Sequence, residues 1–299
     1  MWSIFAEKLI AGDIKSLARC ISLVENETAG YEEFMQTLPG NENSVIIGIT
    51  GPPGAGKSTL TDALIEKLIE ENKKVAVLCI DPSSPFNLGA LLGDRIRMSE
   101  WHNNPNVFIR SLATRGSLGG LNPKIIEISD IIKSAGFDYI IIETVGVGQS
   151  EIEIAGLADI TIVVLVPESG DEIQTMKAGL MEIADVFVIN KSDRPGANTF
   201  VNNLRQMLAP AFKNKDHEIP IIQTIADQKK GIEELKEIIL FSHKDNKEKK
   251  QWLLVEKIYQ MIQKKRMKDV DKSELYLQIQ EQQKDFNLYR FINLFKNEK

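Results

Sequence analysis

The chain has few of the residues that define several common protein classes. Its 299 residues include only two cysteines and three isolated histidines, too few for a disulfide framework or a cluster of metal ligands. Cys20 falls in a predicted helix and Cys79 in a predicted core strand, so we expect both to be reduced. Acidic residues outnumber basic ones, 42 to 36, and this balance does not favour binding to nucleic acid.

Long hydrophobic runs are also missing. The apolar strands are far shorter than the roughly 20 residues that a membrane-spanning helix needs. Glu7 and Asp13 interrupt the N-terminus before a signal-type apolar segment can form. We therefore expect a cytoplasmic protein that does not enter a membrane. With 43% apolar residues, the chain can still bury a large core.

The pattern of apolar residues changes twice along the chain. The first 40 residues have apolar spacings of three and four, which predict helices that end before Pro39 and Gly40. Short β-branched runs then alternate with helical stretches, and this alternation predicts a mostly parallel α/β sheet with helices on both faces. The runs are SVIIGIT, KVAVLCID, NVFIRS, YIIIET, DITIVVLVP, DVFVIN and IPIIQTI. The predicted parts are a helical N-terminal extension at 1–40, an α/β domain at 41–240 and a helical C-terminal arm at 241–299.

The segment GPPGAGKS, at residues 51–58, follows the first predicted strand and opens a predicted helix. It matches the phosphate-loop pattern G-x-x-x-x-G-K-[ST] in the structural context which that pattern requires. In such a loop, backbone N–H groups and the helix N-terminus bind phosphates, the lysine reaches the β and γ oxygens, and the serine hydroxyl ligates Mg²⁺. The predicted phosphate contacts are Gly54, Ala55, Gly56, Lys57, Ser58 and Thr59.

A second motif, NKSD at residues 190–193, follows the strand DVFVIN. An aspartate carboxylate can accept hydrogen bonds from N1–H and from the exocyclic amine of guanine, whereas adenine would leave the charge unpaired. Asn190, Lys191 and Asp193 are therefore predicted to contact a guanine base. Ala226, in the loop after IPIIQTI, is the predicted third contact, although a serine–alanine pair is commoner there than Ile225 and Ala226.

Three carboxylates between these motifs are candidates for the Mg²⁺ and water side of the site. Asp81 and Asp94 follow the second strand, and Glu143 ends a buried strand just before Gly146, whose N–H could contact a γ-phosphate. Such carboxylates can hold Mg²⁺-bound waters or orient the attacking water. From the residues alone, Asp81 could instead be a turn residue, Asp94 could pair with a neighbouring arginine, and Glu143 could be a surface charge.

Several stretches, taken in order, resemble the MeaB/ArgK family of P-loop GTPases. They are GPPGAGKSTL, IDPSSPFNLGALLGDRIRM, RSLATRGSLGGL, FDYIIIETVGVGQSE and PESGDEIQTMKAGLMEIADVFVINKSD. The resemblance implies a GTP-hydrolysing chaperone that binds GTP or GDP with Mg²⁺ and serves an adenosylcobalamin-dependent acyl-CoA mutase, chiefly methylmalonyl-CoA mutase. It also implies a group of GTPases in which a glutamate, here Glu143, takes the place of the more usual aspartate.

The resemblance carries further expectations about particular segments. It implies that Asp81, Asp94 and Glu143 together form the Mg²⁺ and water side of the site. It implies that residues 171–177, which include Asp171, Gln174 and Lys177, sense the partner. Members of the family are typically homodimers, and residues 241–299 stand in the place of their dimerisation arm.

Two other functions remain open at the level of sequence. A nickel-type metal-delivery GTPase shares the glutamate-type core but needs clustered His and Cys ligands. A transport-linked ATPase or kinase would need to bind adenine, which Asp193 disfavours.

No inserted arginine finger is evident, so we expect slow intrinsic hydrolysis. Arg110 and Arg115 are either internal donors to the transition state or members of structural ion pairs.

Overall fold

The computed structural model describes residues 2–41, 43–81, 98–114, 121–144, 150–169, 183–212, 219–242, 247–281 and 286–297. All seven predicted runs form strands in these ranges. They are Val45–Thr50 (β1), Val75–Asp81 (β2), Val107–Ala113 (β3), Tyr139–Glu143 (β4), Ile160–Leu165 (β5), Val186–Ile189 (β6) and Ile221–Gln223 (β7).

The strands form one sheet in the order β3-β2-β4-β1-β5-β6-β7, and all pairings between these strands are parallel. This confirms the predicted α/β class. Because the strands are parallel, the ends of β1, β2, β4 and β6 lie along one edge of the sheet, where open α/β folds bind ligands. The register places Glu143 opposite Ile49 of β1 and Cys79 of β2.

Helices precede, separate and follow the strands. In the N-terminal half they are Trp2–Ile10 (α1), Ile14–Glu25 (α2), Tyr31–Thr37 (α3), Lys57–Glu70 (α4), Ile125–Ser134 (α5) and Ser150–Ala155 (α6). Further along they are Ala197–Phe212 (α7), Ile232–Ser242 (α8), Lys247–Arg266 (α9), Lys272–Glu281 (α10) and Leu288–Asn297 (α11). No helix in the described ranges is both long enough and apolar enough to cross a bilayer.

The sheet is buried on both faces, so neighbouring residues of one strand enter different clusters. In β2, Val77 packs in the cluster that includes α4 and α8, whereas Leu78 packs in the cluster that includes α1, α2, α3 and α5. This alternation follows from the two-residue period of a strand. Cys20 of α2 lies in the second cluster, where burial raises the pKa of its thiol to about 11.

The chain divides into two compact units, Met1–Leu253 and Leu254–Lys299. The second unit contains the end of α9 together with α10 and α11. Many of its apolar side chains are exposed to solvent: Leu254, Val255, Ile258, Tyr259, Met261, Ile262, Met267, Tyr276, Leu277, Ile279, Phe286, Leu288, Tyr289 and Ile292. The predicted division at residues 40 and 240 stays a prediction.

Arg110 lies on β3 and forms an ion pair with the N-terminal helix α2. Its guanidinium donates to Glu25 Oε2 at 2.6 Å, to Ser22 Oγ at 3.1 Å and to the Ala18 carbonyl at 3.1 Å. These contacts tie α2 to the edge strand of the sheet. Of the two explanations for Arg110, the structure therefore supports the ion pair, whereas Arg115 lies outside the described residues.

We expect Arg110→Met to lower the free energy of unfolding by about 2 kcal/mol, because it removes charged hydrogen-bond donors from a mostly buried carboxylate. The side chains of Arg110 and Glu25 are 22% and 9% exposed. Urea denaturation without nucleotide measures the effect. Arg194→Met is the matched control, since Arg194 pairs with Glu168 at 2.8 Å but these side chains are 45% and 53% exposed. Exposed pairs contribute little, so equal losses for the two variants would contradict this account.

Candidate nucleotide-binding site

The phosphate loop joins the end of β1 to the start of α4, as predicted. At two of its glycines, a Cβ would collide with a neighbouring segment. Gly51 has φ of 138°, and a Cβ there would lie 2.1 Å from the carbonyl oxygen of Val164 in β5. Gly56 has φ of 89°, and a Cβ there would lie 2.3 Å from Asn190 Nδ2. The loop is therefore packed directly against its neighbours, and these two glycines permit that approach.

Lys57 is the first residue of α4 and is only 7% exposed. Its ammonium donates to the carbonyl oxygens of Gly51 at 2.9 Å and Pro52 at 3.1 Å. The phosphate loop thus holds the Lys57 ammonium against its own backbone.

Glu143 ends β4 and is 6% exposed, so it is not a surface charge. Ser58 Oγ donates to Glu143 Oε1 at 2.6 Å, and Thr61 Oγ1 donates to Glu143 Oε2 at 3.0 Å. The structure therefore joins the phosphate-loop serine to the predicted glutamate. Sequence reasoning missed Thr61, although its position three residues after Ser58 places both hydroxyls on one face of α4.

Asp81 is the last residue of β2 and is 8% exposed. Its carbonyl oxygen accepts the N–H of Thr114 at 3.2 Å, so its backbone continues the ladder between β2 and β3 and does not form a turn. Asp81 and Glu143 end neighbouring strands, and both therefore lie at the ligand edge of the sheet. Asp94 and Gly146 lie outside the described residues.

These oxygen donors fit a hard cation such as Mg²⁺. Ser58 supplies a hydroxyl, whereas Asp81 and Glu143 supply carboxylates. No group of three His, Cys, Asp or Glu side chains in the described ranges forms a complete metal site. That is compatible with Mg²⁺ in nucleotide hydrolases, which takes one or two carboxylates and completes its shell with waters and substrate phosphates.

Asn190 joins three segments of the site. It is 2% exposed and directly follows β6. Its Nδ2 donates to the Ala55 carbonyl at 2.9 Å, while its Oδ1 accepts from Thr224 Oγ1 and from the Ala226 N–H, each at 3.1 Å. The phosphate loop, the NKSD segment and the loop after β7 are therefore linked through one side-chain amide. Sequence reasoning did not give Thr224 this role.

Lys191 and Asp193 complete the motif. Lys191 has φ of 55°, and its ammonium donates to the Gly54 carbonyl at 2.7 Å. The turn is fixed by the N–H of Ser192, which donates to the Thr224 carbonyl at 3.0 Å. Asp193 is exposed, so its carboxylate is accessible to a ligand.

The next residue, Arg194, makes an ion pair beside the motif. Its guanidinium donates to Glu168 Oε1 at 2.8 Å, and this hydrogen bond lowers the pKa of the Glu168 carboxyl. Both side chains are about half exposed. The pair therefore lies at the surface beside the motif.

A family model described as "Methylmalonyl Co-A mutase-associated GTPase MeaB" matches residues 17–283. The chain belongs to the MeaB family. A Pyrococcus abyssi protein named as a GTPase is 48% identical over 233 residues, which are 77% of this chain and 72% of that protein. The fused isobutyryl-CoA mutase of Geobacillus kaustophilus is 39% identical over 236 residues, 74% of this chain but only 22% of that longer protein.

The crystal structure of a LAO/AO transport system kinase matches the fold with a TM-score of 0.71 at 25% identity, over 99% of this chain and 96% of that one. The chain is thus a P-loop GTPase that binds guanine nucleotide, as the motifs predicted. Because the chain belongs to this GTPase family, guanine nucleotide is the candidate ligand of the sheet edge formed by the phosphate loop, Glu143 and Asn190. Which atoms of the nucleotide each residue contacts stays a prediction.

Proposed function

We propose that this MeaB-family GTPase uses its nucleotide state to regulate an adenosylcobalamin-dependent acyl-CoA mutase, through cofactor loading, protection or reactivation. One observation carries the proposal. A relative named as a fused isobutyryl-CoA mutase contains a stretch similar to 74% of this chain. Joining two modules in one polypeptide raises their effective concentration for each other, so the fusion supports a functional pairing. The family description points the same way, because it names methylmalonyl-CoA mutase.

The proposed nucleotide site uses the residues at the carboxyl edge of the sheet. Lys57 and the N–H groups of the phosphate loop, which include Gly54, Ala55, Gly56, Ser58 and Thr59, would bind the phosphates. Asn190, Lys191, Asp193 and the Ala226 N–H would bind or support the base. Ser58, Asp81 and Glu143, with Asp94, would hold Mg²⁺, and Gly146 would contact the γ-phosphate. When bound, the cation neutralises charge on the phosphate oxygens.

The positions of Asp81 and Glu143 suggest how nucleotide state could reach a partner. A γ-phosphate can reorganise a protein surface only through segments that contact it or its cation. Asp81 precedes the segment 82–97 in the sequence, and Glu143 precedes the segment 145–149. We propose that these segments, together with residues 171–177, report the nucleotide state to the mutase; all three lie outside the described residues.

We expect the affinity for a purified adenosylcobalamin-dependent acyl-CoA mutase to differ about 5- to 150-fold between the GDP form and the form bound to a non-hydrolysable GTP analogue. This is the usual range of allosteric coupling, and linkage requires the mutase to change the affinity ratio of the two nucleotides by the same factor. Calorimetry with methylmalonyl-CoA mutase or isobutyryl-CoA mutase measures both effects. Identical mutase affinity with GDP, with the analogue and without nucleotide would contradict the proposal.

A variant with altered base specificity tests whether the mutase responds to the nucleotide bound at this site. Asp193→Asn should accept xanthine in place of guanine, so the variant's affinity for the mutase should respond to xanthosine nucleotides and no longer to guanosine nucleotides. Asp130→Asn makes the same charge change at an exposed position on α5 and should keep the response to guanosine nucleotides. If the affinity of Asp193→Asn for the mutase changes with xanthosine nucleotides and not with guanosine nucleotides, the mutase responds to the nucleotide bound at this site.

We also propose that the chain forms a homodimer through the arm at 241–299. The exposed apolar side chains of the unit Leu254–Lys299 support this proposal, because soluble proteins seldom leave large apolar patches in water.

A further inference from the structure

Thr61 makes a contact that the phosphate-loop motif does not require. It is fully buried in α4, and its hydroxyl donates to Glu143 Oε2 at 3.0 Å. Ser58 donates to the other oxygen, Oε1, at 2.6 Å. The two hydroxyls are three residues apart on one helical face, so they hold both ends of one carboxylate.

The direction of the Thr61 hydroxyl is informative. Inside a helix, a threonine hydroxyl commonly donates to a backbone carbonyl three or four residues earlier. Thr61 instead donates across to the sheet, where its acceptor is a carboxylate that is 6% exposed. Hydrogen bonds to an ionised acceptor are about twice as strong as neutral ones. This contact therefore orients Glu143 as well as satisfying a buried hydroxyl.

The length of the glutamate side chain explains why a second anchor matters. A glutamate has one more rotatable bond than an aspartate, so holding its carboxylate in one orientation costs more conformational entropy. Ser58 alone fixes one oxygen and leaves rotation about the terminal bond. We propose that Thr61 is a positioning residue that fixes the second oxygen of Glu143 and thereby sets the carboxylate for the divalent cation. This inference rests on the proposed cation site.

The test measures cation affinity directly, with Mn²⁺ as the probe. In the GDP complex, electron paramagnetic resonance follows the loss of the free Mn²⁺ signal as the cation binds. Thr61→Val removes the hydroxyl and keeps the shape, and we expect it to weaken Mn²⁺ binding by about 10-fold, the lower end of the range for residues that support metal ligands. Thr61→Ser retains the hydroxyl and should restore most of the affinity.

Thr161→Val is the matched control. Thr161 is fully buried on β5, and its hydroxyl has no hydrogen-bond partner within the described part of the chain. Losing this hydroxyl should leave Mn²⁺ affinity unchanged. If Thr61→Val does not fold, Thr61→Ala removes the same hydroxyl with a residue that favours helix, and the same 10-fold loss is expected.

A double-mutant cycle with Glu143→Asp tests whether Thr61 acts through the glutamate. The shorter carboxylate should lose contact with Thr61, so Thr61→Val should have little further effect on Mn²⁺ affinity in that background. Unchanged Mn²⁺ affinity in both Thr61→Val and Thr61→Ala would overturn the inference while leaving the proposed cation site intact. If the wild-type GDP complex binds no Mn²⁺, the cation site itself is wrong and the inference falls with it.

Discussion

Asp193→Asn is expected to reverse the base preference of the protein, so that xanthosine diphosphate binds more tightly than GDP. The carboxylate accepts two hydrogen bonds from guanine, one from N1–H and one from the exocyclic amine. An amide at this position presents a donor towards that amine, whereas xanthine has a carbonyl there that accepts. The amide oxygen can still accept from N1–H, but the negative charge and the hydrogen bond to the amine are lost. Hydrogen bonds to charged groups contribute about 1.5–3 kcal/mol each, so GDP binding should weaken by about 10²-fold.

Competition titration against a fluorescent guanine nucleotide measures this effect for GDP, ADP and xanthosine diphosphate. The exposed control Asp130→Asn should retain the wild-type order of affinities. The turn that carries Asp193 is held by the Ser192 N–H and by Asn190, so the substitution should leave stability without nucleotide nearly unchanged. Equal affinities of the wild type for GDP and ADP would refute the assignment of Asp193.

Gly51→Ala should cause the largest loss of stability among single substitutions in the phosphate loop. The added Cβ would lie 2.1 Å from the backbone carbonyl oxygen of Val164, at φ of 138°. Val164 belongs to β5, which pairs with β1 over Ile47 to Thr50, so neither backbone can move without breaking the ladder. Backbone strain and overpacking each cost about 1–3 kcal/mol, and we expect a combined loss of about 4 kcal/mol.

Thermal or urea unfolding without nucleotide measures this loss. A change of that size should lower Tm by roughly 6 °C in a chain of this length. Gly136→Ala is the control for backbone strain alone, because Gly136 has φ of 80° and open space around its Cβ position. If both variants lose the same stability, the contact between the loop and β5 contributes nothing and the packing argument is wrong.

The strands could be predicted from sequence because the sheet is buried on both faces. A run such as VAVLCID has apolar residues at every position before its final aspartate, and this pattern appears where both faces of a parallel strand are covered. The insertion of β4 between β1 and β2 could not be predicted in the same way. Alternation of strands and helices shows that a sheet is parallel but does not give the order of its strands.

In the candidate site, too, some features could be predicted from the sequence and others could not. The phosphate loop and the NKSD segment are continuous motifs, so a strand and a turn are enough to locate them. The contact of Thr61 with Glu143 spans 82 residues, and that of Arg110 with Glu25 spans 85. Such contacts depend on how a helix packs on a sheet, and no local pattern records that packing. Sequence alone therefore left two explanations open for Arg110 and said nothing of Thr61.

The helices at the N-terminus also determine how this GTPase can be divided. Leu9, Leu17, Ile21, Val24 and Phe34 all enter the cluster that covers one face of the sheet. A fragment that began at β1 would keep every nucleotide-binding motif but would expose the part of that face which these five residues cover. Exposed apolar surfaces of this kind promote aggregation. The α/β domain that carries the nucleotide-binding motifs is therefore not an independent unit. A chimaeric protein that contains this domain should include the first forty residues as well.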